Sequence, residues 1–94
     1  MHTDDLEFEW DPVKDRTNQR KHGIRFADAV MVFEDTQAVL LDDEHPSERR
    51  FVAIGTEASG EILVVVFTWR NERIRLISAR KADAWEKQLY EKGE

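Results

Sequence analysis

The sequence contains no cysteine, and this absence excludes disulfide bridges, zinc sites with thiolate ligands and cysteine nucleophiles. Proline occurs only twice and glycine four times, and no proline-rich linker, internal repeat or low-complexity tract divides the chain. The longest unbroken apolar run, Ile62 to Phe67, is far shorter than the roughly 20 residues that a membrane-spanning helix needs. The first nine residues are acidic and lack the pattern of a signal peptide. We therefore expect a cytoplasmic protein without a membrane partner.

Basic residues are the minority charge, with 14 Lys and Arg against 20 Asp and Glu, and the formal net charge is −6. The 94 residues allow one compact domain, so we expect residues 1–94 to form a single domain. Hydrophobic residues make up 40% of the chain, which excludes intrinsic disorder because enough apolar area exists to offset chain entropy. The net negative charge by itself argues against a nucleic-acid ligand.

The apolar pattern predicts an α+β fold with two N-terminal helices, a curved antiparallel sheet and a C-terminal helix. Asp11-Pro12 is typical of a helix start, and Gly23 stands where a left-handed terminating residue is needed. Short turns between the later segments favour an antiparallel sheet of about four strands, to which a short N-terminal strand is added. The predicted order is a strand at 6–10, helices at 12–21 and about 26–33, strands at 38–41, 50–55, 62–69 and 73–79, and a helix at 81–92.

Charge is unevenly distributed along the chain. Residues 1–48 hold 13 acidic and five basic residues, whereas residues 49–82 hold three acidic and seven basic ones. Two of these, Arg73 and Arg75, are two apart on a predicted strand and therefore share one face, while Ile74 and Leu76 take the other. The Arg guanidinium matches the geometry of a phosphate, but composition alone favours the alternative in which these side chains form ion pairs with the acidic first half.

Other candidates for chemistry lie outside this strand. Arg70 falls in the turn before it, and Arg80 and Lys81 fall at the junction with the last helix. Three carboxylates and an imidazole at residues 42–45 could hold a divalent cation, but the spacing matches no known site and we assign no metal. The three Trp could stack bases, but in a domain this small they are expected mainly in the core.

The order of motifs over about residues 8 to 91 resembles the BrnT family of toxins. The opening part of the resemblance comprises Phe8-Glu9-Trp10-Asp11, Lys14, Asn18, Lys21-His22-Gly23-Ile24, Phe26 and Val32-Phe33-Glu34-Asp35. The later part comprises Glu48-Arg49, Ile54-Gly55, Ile74-Arg75-Leu76-Ile77-Ser78-Ala79-Arg80, Ala82, Glu86 and Tyr90.

The resemblance implies a RelE-like fold and a ribonuclease toxin of a type II toxin–antitoxin pair, which cuts RNA and arrests translation. It further implies a BrnA-like antitoxin that binds the toxin in a hetero-oligomer and contacts promoter DNA, so that the toxin meets this DNA only indirectly. Ribonucleases of this fold class work without a metal or another cofactor, by attack of the ribose 2′-hydroxyl on the adjacent phosphate.

Carried over residue by residue, the resemblance implies that Arg75 and Arg80 hold the scissile phosphate and that Glu48 or His22 transfers the proton. The expected RNA-binding residues are Lys21, Arg49, Arg70, Arg73 and Lys81. One departure is the last helix, where family members usually carry more basic residues than this chain has after Ala82. Two alternatives remain open: a non-catalytic binding module that docks a small DNA-binding protein, and a metal-dependent nuclease acting through residues 42–45.

Overall fold

The first helix begins and ends at the capping residues that the sequence predicts. In the computed structural model, which describes residues 6–92, helix α1 spans Pro12–His22 and follows the short strand β1, Phe8–Glu9. The Asp11 carboxylate accepts a hydrogen bond from the Val13 N–H at 2.9 Å and thereby caps the helix. Gly23 ends the helix with φ of 72°, as predicted, a conformation that residues with a Cβ rarely adopt. The outer ends of the predicted domain, residues 1–5 and 93–94, lie outside the described residues.

The second predicted helix is only partly correct. Phe26–Ala29 forms one turn of α-helix, α2, and the chain then tightens into a 3₁₀-helix over Val30–Glu34. This segment contains Val30, Val32 and Phe33, whose branched or aromatic side chains have low α-helical propensity. The 3₁₀-helix packs closely on β3 at Gly55. A Cβ at this position would lie only 3.0 Å from Val32 Cγ1, so the close approach favours glycine.

The remaining strands complete one five-stranded sheet in the order β1-β5-β4-β3-β2. The prediction of four antiparallel strands is confirmed for β2–β5, and the added N-terminal strand β1 runs parallel to β5, so the sheet as a whole is mixed. A parallel pair needs a long connection, and here α1, α2, the 3₁₀-helix and three strands between β1 and β5 provide it. The strands are β2 at Val39–Asp43, β3 at Arg50–Thr56, β4 at Ile62–Arg70 and β5 at Arg73–Lys81.

The last helix, α3, spans Ala84–Lys92 and begins three residues later than predicted. Lys81 still pairs with Leu63 in the sheet, and the Ala82 N–H donates to the Ile62 carbonyl, so the strand continues to this point. Asp83 and Glu86 then exchange backbone–carboxylate hydrogen bonds of 2.9 Å, which is the capping box of a helix start.

Two apolar clusters lie on opposite faces of the sheet. The larger cluster faces α1, α2 and the 3₁₀-helix, so we call this side the helix face. The smaller cluster contains Val39, Ile54 and Val64 and is covered by Leu89 and Tyr90 of α3. Trp10 packs edge-on against Phe26, but Trp69 and Trp85 are 45% and 64% exposed, so the prediction of three core tryptophans is wrong for these two. No helix among residues 6–92 is long and apolar enough to cross a membrane.

Candidate nucleic-acid interface

A β-bulge in strand β5 determines which arginines share a face. Leu76 pairs with Phe67, whereas Ser78 pairs with Val66, so Ile77 is an extra residue in β5. Without the bulge, Arg75 and Arg80 would point to opposite faces, because they are five residues apart. The bulge restores Arg80 to the face of Arg75, opposite the buried residues of the larger core cluster.

We call this side of the sheet the arginine face. Its residues on β5 are Arg73, Arg75, Ser78 and Arg80, and the prediction that Ile74 and Leu76 take the other face is confirmed by their burial in the larger cluster. Helix α3 covers one end of the arginine face, around Val64 and Arg80. The other end, which carries Arg73 and Arg75, lies beyond the residues that α3 contacts.

One row of polar side chains crosses the open end of the arginine face. Thr68 pairs with Arg75, and Arg75 pairs in turn with Glu9 of β1. On the other side, Arg50 precedes Phe51, which pairs with Phe67, so Arg50 lies next to Thr68. Arg50 and Arg75 lie on the two strands that flank β4, so their backbones are about 10 Å apart, a gap that two extended Arg side chains can span from both sides of one ligand.

The loop before β3 brings Glu48 and Arg49 to the same end of the sheet. The Glu48 carboxylate accepts hydrogen bonds from Arg50 at 2.9 Å. The Thr68 hydroxyl donates to the Arg49 carbonyl at 2.5 Å and so ties the loop to β4. The Arg49 guanidinium lies 5.6 Å from the centre of the Phe51 ring, in cation–π geometry. Residues 42–50 together line an open depression of about 890 Å³.

Most of the arginines on this face already have a carboxylate partner, as the ion-pair alternative predicted. Arg73 contacts Glu7 at 2.8 Å, and Arg75 contacts Glu9 at 3.1 Å. A hydrogen bond with Glu7 raises the pKa of Arg73 above its ordinary value. Within residues 6–92, Arg70 has no acidic partner; it is the last residue of β4 rather than part of the turn, and it pairs with Arg73.

Arg80 is held more firmly than the other arginines. Its two terminal nitrogens contact the two carboxylate oxygens of Glu86 at 2.8 and 2.6 Å. Because of this hydrogen bonding, the pKa of Glu86 is lowered and that of Arg80 is raised from their ordinary values. The Glu86 side chain is only 12% exposed and also caps α3, so this ion pair fastens the helix to the sheet.

The remaining predicted site residues lie elsewhere. Lys21 and His22 are exposed at the end of α1, which packs on the helix face, and no hydrogen bond in the described part of the chain joins them to Arg75 or Arg80. Lys81 is exposed at the end of β5, beside Arg80. His45 Nδ1 contacts Ser47 within its own loop, and no three His, Asp or Glu side chains among residues 6–92 are grouped so that they could hold a metal ion.

Two residues of this interface, Arg50 and Glu9, were not singled out as site residues from the sequence. Arg50 shares a face with Val52 and Ile54 by strand alternation, but its position beside Thr68 depends on the register between β3 and β4. Glu9 belongs to β1, and its contact with Arg75 depends on a parallel pairing across 66 residues of sequence. Strand alternation alone could have indicated Arg50. No local signal in the sequence marks Glu9 as the partner of Arg75.

Comparison with known proteins agrees with this architecture. The family model described as "Ribonuclease toxin, BrnT, of type II toxin-antitoxin system" matches residues 10–86. The crystal structure of the Brucella abortus ribonuclease toxin BrnT is 31% identical, covers 83% of this chain and 97% of its own, and superposes with a TM-score of 0.69. No curated protein sequence matches the chain. The match over most of its length shows that the chain belongs to the BrnT family of ribonuclease toxins of type II toxin–antitoxin systems.

Proposed function

We propose that this chain is a metal-independent endoribonuclease that binds RNA on the open end of the arginine face and arrests translation in the cytoplasm. The observation that carries the proposal is the row formed by Arg50, Thr68 and Arg75, with Glu48 beside it. A carboxylate next to guanidinium groups supplies both a proton acceptor and positive charge for a phosphate.

In this reaction Glu48 accepts the proton of the ribose 2′-hydroxyl. The 2′-oxygen attacks the phosphorus, the bond from phosphorus to the 5′-oxygen breaks, and water supplies the proton that the leaving oxygen takes. Arg75, aided by Arg50, stabilises the additional negative charge on the phosphate oxygens in the transition state. The products are a 2′,3′-cyclic phosphate and a 5′-hydroxyl end.

Glu48 is better placed than His22 for the proton transfer. Glu48 lies at the open end of the arginine face through its contact with Arg50, whereas His22 belongs to a helix on the other side of the sheet. Arg70 and Arg73 lie at the same end and bind the flanking phosphates, whereas Arg49 stacks on Phe51, whose ring lies on the helix face. Arg80 and Lys81 lie further along β5, and Arg80 can bind phosphate only when Glu86 releases it.

The test is cleavage of single-stranded RNA by the purified chain in the presence of EDTA, with identification of the new ends. We expect 2′,3′-cyclic phosphate ends and a loss of rate of about 100-fold in Glu48→Gln, since positioned general bases contribute this much. Glu44→Gln, an exposed carboxylate in the same loop, is the matched control and keeps the wild-type rate. Ends bearing a 3′-hydroxyl, or dependence on added metal, would contradict the mechanism.

A type II toxin has an antitoxin partner, and we propose that here it is a BrnA-like protein encoded beside the toxin. Induction of this chain alone is expected to stop growth, and induction together with the adjacent small reading frame restores it. Growth arrest without RNA cleavage would favour the alternative of a non-catalytic module that binds a small DNA-binding protein.

A further inference from the structure

Strand β2 forms one edge of the sheet. It spans Val39–Asp43, and among residues 6–92 it pairs only with β3. The backbone N–H and C=O groups that point away from β3 are therefore available to another strand. Globular proteins commonly protect such edges with charges, proline or a bulge, and the first three residues of β2 carry none of these.

The two leucines of β2 are exposed although they are large and apolar. Leu40 is 66% exposed and pairs with Ala53 of the helix face, whereas Leu41 is 40% exposed and pairs with Val52 of the arginine face. Apolar side chains are thus presented on both faces of the edge strand. A strand added at this edge would cover both leucines at once.

Leu40 is continuous with an apolar groove on the helix face. The groove has a volume of about 960 Å³ and ends near Trp69, which is also exposed. Its floor is formed by Phe33, Phe51 and Phe67, whose rings pack on one another. A segment lying along β2 therefore has room to place an apolar side chain beside Leu40 and into this groove.

The charge around the edge identifies the chemistry of its partner. Residues 26–48 contain seven acidic residues and no Lys or Arg. Asp42 has only a distant contact with Arg49, at 3.9 Å, where both side chains are largely exposed. A second copy of this chain would bring the same acidic segment to the edge, and RNA would bring phosphates, so both are repelled. A basic segment is attracted.

We propose that β2 and the adjoining groove bind an extended segment of the antitoxin, in which apolar residues alternate with polar ones and Lys or Arg lies opposite Asp42 and Asp43. This inference rests on the proposed function, which provides an antitoxin as the partner. Asp43 pairs with Arg50, so a strand added outside β2 lies two strands away from Arg50. The bound segment borders the depression that residues 42–50 line, and there it narrows access to Glu48 and Arg50.

The test measures binding of the protein encoded by the adjacent small reading frame to the full chain, by titration calorimetry. Leu40→Lys and Leu41→Lys are each expected to weaken binding about tenfold, because each removes a large apolar contact and opposes a basic partner. Val13→Lys and Trp85→Lys make the same kind of change at exposed positions of α1 and α3, and bind within about twofold of wild type. RNA cleavage by the free Leu40→Lys variant stays at the wild-type rate.

Hydrogen exchange of the same complex locates the segment independently. We expect slower exchange of the backbone amides of residues 39–43 on binding, and sedimentation of the free chain as a monomer. Equal binding by the leucine and control variants, or protection elsewhere, would overturn the docking site while leaving the ribonuclease proposal intact. A homodimer lost in Leu40→Lys would assign the edge to a second copy instead. Absence of binding by the wild type would remove both the antitoxin assignment and the docking site.

Discussion

Asn18 joins the first helix to the sheet through its side-chain amide. It donates to the carbonyls of Ala79 and Ile24 at 2.8 and 3.0 Å and accepts from the Ala79 N–H at 3.0 Å. Ala79 lies two residues after the bulge at Ile77, and the residues of β5 that follow Arg75 have no strand pairing on that side among residues 6–92. The amide of Asn18 therefore replaces the missing partner strand at this point.

We predict that Asn18→Ala lowers the free energy of unfolding by about 2–3 kcal/mol, because buried backbone groups lose their hydrogen bonds. Urea denaturation followed by circular dichroism measures the change. Gln19→Ala, at the next and exposed position of the same helix, changes stability by less than about 0.5 kcal/mol. A loss as small for Asn18 as for Gln19 would contradict the role of the amide.

In the proposed interface, Glu9 competes with RNA for Arg75. The two side chains are in contact at 3.1 Å, so a phosphate that binds Arg75 must displace or rearrange this carboxylate. We predict that Glu9→Gln binds a non-cleavable 2′-O-methyl RNA about threefold more tightly than the wild type at low salt, as measured by fluorescence anisotropy.

Glu34→Gln is the matched control for this measurement. It removes the same charge from the chain, but Glu34 lies in the 3₁₀-helix on the helix face. If the effect came only from net charge, both variants would bind more tightly by the same factor, and the specific competition at Arg75 would be disproved.

At the scale of elements, two carboxylates fasten helix α3 to the rest of the molecule. Glu86 binds Arg80, and Asp35 accepts a hydrogen bond of 2.6 Å from the Tyr90 hydroxyl. Partial burial acts to raise the pKa of Asp35, but hydrogen bonds from Tyr90, Thr56 and Gln37 outweigh it and hold this pKa below its ordinary value of 3.8. The hydrogen bond between Tyr90 and Asp35 also raises the pKa of Tyr90 above its ordinary value.

These lowered values predict the response to acid. A carboxylate whose pKa is lower in the folded than in the unfolded state stabilises the fold above its ordinary pKa, and this contribution is lost as pH falls through the folded value. We therefore expect the urea midpoint to fall as pH drops from about 5 to below about 3. Tyr90→Phe should make this decline shallower, whereas Glu91→Gln, exposed on the same helix, leaves its slope unchanged. An identical decline in Tyr90→Phe would contradict the contribution of Asp35.

The elements that local sequence signals define were predictable, and those that depend on distant packing were not. Asp11, Pro12 and Gly23 mark both ends of α1 because capping acts within one helical turn. The bulge at Ile77 leaves no pattern in the apolar residues of β5, yet it decides the face of Arg80. The start of α3 was missed because the end of β5 depends on its pairing with β4, which continues to Lys81, and not on the local sequence.

At the scale of the whole molecule, the net charge of −6 conceals a separation of charge between surfaces. The acidic segment at residues 26–48 contributes to the helix-face groove and the β2 edge, whereas Arg50, Arg73, Arg75 and Arg80 lie on the other face of the sheet. The net charge alone therefore says little about whether one surface of this chain can bind RNA. The sequence could predict the shared face of Arg73 and Arg75, but not their partners, because β1 and β5 pair across most of the chain.

If RNA is cleaved on the arginine face, loss of Arg75 slows cleavage, whereas loss of an arginine outside that face does not. Single-turnover cleavage of one RNA is measured in EDTA for the wild type, Arg75→Ala and Arg25→Ala. Arg25 is exposed, precedes α2 and forms an ion pair with Asp28. Its replacement therefore controls for the loss of one positive charge and one ion pair. We predict a rate about 100-fold lower for Arg75→Ala and within about twofold of wild type for Arg25→Ala. Equal rates for the two variants would contradict cleavage on the arginine face.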